Sequence, residues 1–246
     1  MTFSLFKRTV AITPPPRTKP GQRIYAIGDI HGRDDLLTVL MEKIVADSAA
    51  CAGGSPVLVY LGDYIDRGTA SDRIIETLTA PPPAGFLAHY LMGNHEEMML
   101  QFIDGDNNNT VWLRNGGIQT LEAYGCRNLD DNETLRKDLL AGLPSHHLEF
   151  LRSLKSKHQE GDYLFVHAGL KPGVAIADQS DTDMKWIRTA FLESKEDFGK
   201  IVVHGHSISP EPQVRANRIG IDTGAYRTGV LTCLVLEGAE KKFLST

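Results

Sequence analysis

The chain has 246 residues, 26 Lys and Arg against 31 Asp and Glu, a formal charge of −5 and 41% hydrophobic residues. That length suits one large domain or two small ones and supports a core without disulfide or metal staples. The slight acidic surplus argues against a nucleic-acid partner, and the three Cys at 51, 126 and 233, an odd number without CxxC spacing, exclude a disulfide framework.

In chain order, residues 1–20 lack the roughly 7–15-residue apolar core and the cleavage site of a secretory signal. Pro14, Pro15 and Pro16 predict a stiff, exposed and poorly ordered lead-in. No run approaches the ~18 apolar residues of a membrane helix, so the expected setting is the cytoplasm, with no membrane partner. From residue 21, RIYAIGDI reads as a buried strand running into HGR. Asp34 and Asp35 suit a helix N-terminus, and Leu36, Leu37, Leu40, Met41, Ile44 and Val45 recur at helical spacing. SPVLVYLGD predicts a strand, SDRIIETLTA a helix stopped by Pro81, Pro82 and Pro83, FLAHYLMGN a strand and HEEMMLQFI a helix. Such alternation describes βαβ units and a parallel or mixed sheet covered by helices.

Residues 104–160 are strand-poor. WLRNGGIQTLEAYG, ETLRKDLLAGL and SHHLEFLRSLKSKHQ read as helices, forming an insertion or cap within a single domain spanning 21–246. DYLFVHAG, IVVHGHS, RIGIDTG and GVLTCLVLEG then predict four strands, with one helix around Met184–Glu193.

Polar residues gather where the strands finish. GDIHG, GDYIDRG, GNHEE, HAG and HGH end successive strands, and in open α/β sheets ligands collect at carboxyl ends. These loops supply Asp29, His31, Asp63, Asp66, Arg67, Asn94, His95, His167, His204 and His206. Carboxylate, imidazole and amide oxygen together suit manganese, iron or zinc, whereas magnesium or calcium alone would favour all-oxygen sites. Two such ions sharing a carboxylate can activate a bridging water for phosphoryl displacement.

GDIHG, GDYIDRG and GNHE, in that order, resemble the signature of the calcineurin-like metallophosphoesterases, and more narrowly the PPP-type serine/threonine protein phosphatases of bacteria and phages. The resemblance runs from about Arg23 to Leu236. It implies an α/β fold, a β-sandwich of mixed sheets flanked by helices, with two bound divalent ions (manganese first; iron or zinc as alternatives). By the same resemblance Asp29 and His31 hold the first metal and Asp63 bridges both, while Asn94, His167 and His206 complete the second. A metal-bridging hydroxide would attack the phosphorus, and His95, oriented by Asp66, would be the general acid that protonates the leaving alkoxide. Arg67 and Arg188, the latter in MKWIRTAF, would clamp phosphoryl oxygens together with Asn94. The implied substrate is a phosphoprotein or a phosphorylated small molecule.

The chain departs from the family pattern in three places: HAG replaces HGG, Met92 stands where an arginine is usual, and Ile208 removes the GHxH ending of the nuclease-type branches. A similar branch hydrolyses symmetrical dinucleoside tetraphosphates, but lacks the second Asp of GDYIDRG and reads GNHD. Asp66 and Glu96 therefore favour the phosphatase. A non-catalytic scaffold is disfavoured because no implied ligand is missing. His89, His146, His147 and His158 read as packing or solvated residues and Tyr64 as core. His204 is either a packed strand-end residue or a support for the site. Trp112, Arg114 and Asn115 either reach the crevice or form a cap-helix face, and Tyr226 in DTGAY has the same two readings.

Overall fold

Buried side chains occupy both faces of β1 (Arg23–Ile27). Ile24 and Ala26 enter one apolar cluster, Tyr25 and Ile27 another. A strand of this kind must be covered on both sides. The computed structural model, which describes residues 14–49, 54–106, 108, 110–127 and 131–246, shows what covers it.

After β1 the chain runs through α1 (Asp34–Ser48), β2 (Val57–Tyr60), α2 (Ser71–Thr79), β3 (Leu87–Tyr90) and α3 (Asn94–Ile103). The insertion follows as α4 (Thr110–Trp112), a π-helical turn (Leu113–Gly117), α5 (Ile118–Ala123), α6 (Asn132–Gly142) and α7 (Ser145–Ser153). Then come β4 (Lys157–Glu160), β5 (Tyr163–Val166), a 3₁₀ turn (Ile176–Asp178), α8 (Asp181–Trp186) and α9 (Thr189–Leu192). The chain ends with β6 (Ile201–His204), β7 (Gln213–Val214), β8 (Arg218–Gly220), α10 (Ala225–Thr228), β9 (Thr232–Glu237) and β10 (Glu240–Ser245).

Two five-stranded mixed sheets form, in the orders β10-β9-β1-β2-β3 and β4-β5-β6-β8-β7. Within them β1, β2 and β3 are parallel, as are β5, β6 and β8; β9, β10, β4 and β7 run antiparallel to their neighbours. The period of two along each strand sorts side chains to opposite faces. Ile24, Val57, Val59, Phe165, Val203, Ile219, Leu234 and Leu236 meet in one cluster fed by both sheets. Tyr25, Ile27, Leu58 and Tyr60 face the helices instead, and Leu121, Leu135, Leu139 and Leu151 of the insertion join that same cluster. Leu164, Val166 and Val202 pack with Met184 and Phe191 on the other side. The expected sandwich flanked by helices is therefore present, and no helix among the described residues is long and apolar enough to cross a membrane.

Several local expectations need correction. The segment 145–159, read as one helix, ends at Ser153, and Lys157–Glu160 pairs antiparallel with β5. Its residues Lys, His, Gln and Glu show no apolar alternation; the ladder partner, not the pattern, makes it a strand. The helix expected around 184–193 is broken at Ile187 and Arg188, where Arg188 has φ −129° and ψ −102°. Strands β7 and β10 went unread because exposed edge strands carry polar and charged residues. Residues 1–13 of the expected lead-in lie outside the described residues, as does Cys51. From Arg17 the backbone is pinned: its N–H donates to Asp162 at 2.9 Å and that of Thr18 to the Gly238 carbonyl at 3.0 Å.

Leu234 is fully buried in the cluster between the sheets. Leu234→Ala should cost about 2–5 kcal/mol through lost burial and a residual cavity. Urea denaturation should show a lower midpoint with an unchanged slope.

Candidate active site

Since β1, β2 and β3 are parallel, and β5 and β6 likewise, the loops leaving them emerge at carboxyl ends of both sheets. Five described residues other than glycine have φ between 48° and 73°: His31, Asp63, Asp66, Arg67 and His206. All five lie in these loops. Left-handed backbone costs such residues about 1–3 kcal/mol each and persists only where surrounding bonds over-determine it.

The bonds are visible. The N–H groups of Ile30 and His31 both donate to the Asp63 carbonyl, at 3.0 and 2.9 Å, and that of Gly32 donates to Tyr64 at 2.8 Å. Gly93 cannot be larger, since a Cβ there would lie 2.1 Å from Asp63 Oδ1. The strongest tie is Glu96, fully buried. Its Oε2 accepts from the N–H of Asp63 and of Gly93, each at 2.9 Å, and its Oε1 accepts from Tyr64 at 2.8 Å and Ile65 at 3.3 Å. Burial, then the nearby Asp63 charge, pushes its carboxyl up to about 7.

Asp63 Oδ2 is the centre of an imidazole cluster, 3.4 Å from His167 Nε2, 3.6 Å from His31 Nε2 and 3.9 Å from His95 Nε2. His31 and His167 each have Nδ1 within hydrogen-bond reach of a backbone carbonyl, Ile65 at 2.8 Å and Leu61 at 2.9 Å. An Nδ1–H donated there leaves the Nε2 lone pair towards Asp63, which is how metal-binding imidazoles are oriented. Around His167 Nε2 stand Asn94 Oδ1 at 3.0 Å and His206 Nδ1 at 3.2 Å. Burial opposes a proton on His167, yet the Asp63 charge prevails and pushes its pKa up to about 10. Burial and the neighbouring positive rings push His31 down to about 3 and His206 down to about 2. Burial and the Asp222 carboxylate raise Asp29 well above its usual range. Such a crowd of lone pairs and buried carboxylates selects for positive charge. His206 Nε2 is buried without a hydrogen-bond partner. Two groups of ligand-type side chains, His31–Asp63–His95 and Asp63–His167–His206, each have donor atoms within 4.8 Å of one another and share Asp63. The first contains His95, expected as the acid, and not the expected ligand Asp29, whose carboxylate accepts the backbone N–H of His206 at 3.0 and 3.2 Å. The residues present thus fit divalent cations of the manganese, iron or zinc kind.

Beside this cluster, His95 Nδ1 lies 2.5 Å from Asp66 Oδ2, and His95 Nε2 lies 3.3 Å from Arg67 Nη2. Asp66 is itself held by the Trp112 indole N–H at 2.9 Å and the Thr120 hydroxyl at 2.6 Å. Burial disfavours the His95 imidazolium, but the Asp63 charge and the Asp66 bond more than offset this and raise its pKa. Arg67 packs over the Tyr226 ring at 4.5 Å, and its Nε donates to the Asn115 carbonyl at 3.3 Å.

A cavity of about 60 Å³ opens here, lined by Asp29, His31, Asp63, Arg67, Asn94, His95, Arg188 and His206, with Asn115, Trp186 and Asp222. Asp66 and His167 stand behind that lining, completing the sequence-derived set. Arg188 reaches the site by donating to the His206 carbonyl at 3.3 Å. Trp112 is buried against Asp66 and Arg114 does not line the cavity; of those three residues only Asn115 does. His204 packs edge-on to Phe191, with ring centroids 5.1 Å apart. Sequence reasoning missed Thr120, Ser71 and Asp222, and gave Glu96 no structural role. A Glu three residues after the N-cap Gly93, able to reach back to that residue's N–H, was the available signal for Glu96. Asp222 ends β8 as Asp29 ends β1, so the strand-end rule already covered it.

The calcineurin-like phosphoesterase family profile matches residues 22–228. The chain belongs to that family. It is 27% identical to serine/threonine-protein phosphatase 2 of Escherichia coli, over 86% of this chain and 91% of that one. It is equally 27% identical to the asymmetrical bis(5'-nucleosyl)-tetraphosphatase PrpE of Geobacillus thermodenitrificans, over 85% and 88%. It spans only 44% of a symmetrical bis(5'-nucleosyl)-tetraphosphatase from Dechloromonas aromatica, at 30% identity. A solved structure provisionally named a diadenosine tetraphosphatase shares the fold, with TM-score 0.63 and 19% identity over 95% of this chain and 98% of that one.

In Glu96→Gln an amide NH₂ would confront backbone N–H donors where Glu96 now accepts at both oxygens. Metal affinity of this phosphoesterase should fall about 10–100-fold, as for loss of other supports of metal ligands. Metal titration checks this, with far-UV circular dichroism unchanged.

Proposed function

We propose that the chain is a dinuclear-metal phosphomonoesterase acting on serine/threonine phosphoproteins, with His95 as general acid. The observation that supports it most is the Asp66–His95–Arg67 arrangement beside the Asp63 cluster. Two divalent ions, manganese first with iron or zinc as alternatives, would supply charge neutralisation and an activated water there. Asp29, His31 and Asp63 would hold one, and Asp63, Asn94, His167 and His206 the other.

The remaining work falls to the protein's own side chains. Arg67 and Arg188 approach the cavity from different loops and carry charge suited to the non-bridging oxygens of a phosphoryl group. With Nδ1–H given to Asp66, His95 presents Nε2 towards the cavity, where its raised pKa keeps a proton ready for the leaving alkoxide. Departure of an alkoxide from a phosphomonoester needs that proton. The buried Asp66 preserves both tautomer and ring orientation, and Trp112 and Thr120 preserve Asp66.

Dinucleoside tetraphosphate hydrolysis is the second reading, and the tetraphosphatase relatives favour it. Asp66 and Glu96 support the phosphatase reading, because both are fully engaged in positioning the acid and the Asp63 loop.

His95→Asn should lower kcat by about 10²–10⁴ while metal content stays at the wild-type level. Loss of both metals in that variant would contradict the acid assignment. Comparing kcat/KM on phosphoseryl peptides and on diadenosine tetraphosphate tests the substrate class, and a clear preference for the peptides is expected.

A further inference from the structure

A second group of metal-ligating side chains shares no residue with the strand-end cavity. Glu76 lies in α2 and His146 and His147 in the first turn of α7. Glu76 Oε2 is 2.8 Å from Nε2 of each histidine, and the donor atoms all fall within 4.8 Å of one another. The other ring nitrogen of His147 lies 2.9 Å from the Tyr124 hydroxyl. An Nδ1–H donated to that oxygen leaves the lone pair on Nε2, beside Glu76, the orientation supporting partners impose on metal-bound imidazoles.

The three side chains differ in freedom. His147 is 4% exposed, so its ring is fixed, whereas Glu76 and His146 are 65% and 52% exposed and can adjust. A crevice of about 470 Å³, lined in part by Asp72, Glu76, Tyr124 and His147, opens beside them. Asp72 precedes Glu76 by one helical turn. The crevice leaves room for a water or further ligand.

We propose that Glu76, His146 and His147 form a separate cation site for a zinc-class divalent ion, with a fourth position open to the crevice. Two imidazoles and one carboxylate match that class, while magnesium and calcium prefer all-oxygen surroundings. Bonds of about 2.0–2.1 Å at tetrahedral angles set donor atoms roughly 3.3 Å apart. The 2.8 Å contacts therefore need to open by only about half an ångström, within reach of two exposed side chains. Binding needs a lone pair on both Nε2 atoms, so any proton lying between Glu76 and a ring is released when the ion enters. It would also tie α7 of the insertion to α2 of the main body.

The test loads the full chain with zinc or, separately, with manganese, removes free metal by gel filtration and counts bound ions. Glu76→Gln and His146→Ala, both at exposed positions, should each hold one zinc fewer per chain than wild type. Manganese content and phosphatase activity should match wild type. In a zinc titration, the affinity of that equivalent should fall at least about 10-fold in either variant. Equal zinc counts and affinities in wild type and both variants would overturn the proposal, leaving a Glu–His ion pair and nothing more.

Discussion

The shared carboxylate of Asp63 is the constraint on which the rest of the site depends. One oxygen lies 3.4–3.9 Å from three imidazoles, and the other accepts the backbone N–H of His95 at 3.1 Å. Burial works against its charge, but the surrounding histidines hold its carboxyl well below the usual carboxylate range. An anion buried this deeply needs compensating positive charge. Protonated rings supply it in part, and the donor geometry suits metal ions better.

Holding that carboxylate in place requires backbone that is unfavourable in isolation. Asp63 has φ +54°, and the ties that enforce it come from the loop after β1 and from the start of α3 after β3. Glu96 collects N–H groups from the loops after β2 and β3, so a side chain of α3 fixes two loops at once. The insertion contributes as well: Trp112 and Thr120 reach Asp66, and Thr120 also meets Ser71 of α2 at 2.9 Å. The cap thereby holds Asp66 in place.

Much of this was legible because strand-end loops concentrate rare combinations of Asp, His, Asn and Gly. Asp29, His31, Asp63, Asn94, His206 and both arginines line one cavity, since parallel strands send their carboxyl-terminal loops to one edge. What stayed illegible depends on partners distant in sequence. Strand β4 is Lys157–Glu160, with no pattern of its own, and Thr120 lies 54 residues from the Asp66 it supports. The kink at Arg188, which brings its side chain to the His206 carbonyl, interrupts a stretch whose composition reads as continuous helix. Histidine alone is equally ambiguous. His89 and His158 stack at 3.7 Å across two edge strands, while His147 is buried against Tyr124, and neither arrangement shows in local sequence.

The most direct test of the account is the manganese content and affinity of Asp63→Asn against wild type. Manganese is the suitable probe because it is the weakest binder among the divalent first-row ions at imidazole-rich sites. If Asp63 joins the two donor groups, removing its charge weakens both ions together, and the variant retains neither after gel filtration. One manganese retained per chain at wild-type affinity would show that the two groups bind independently, and would contradict the account.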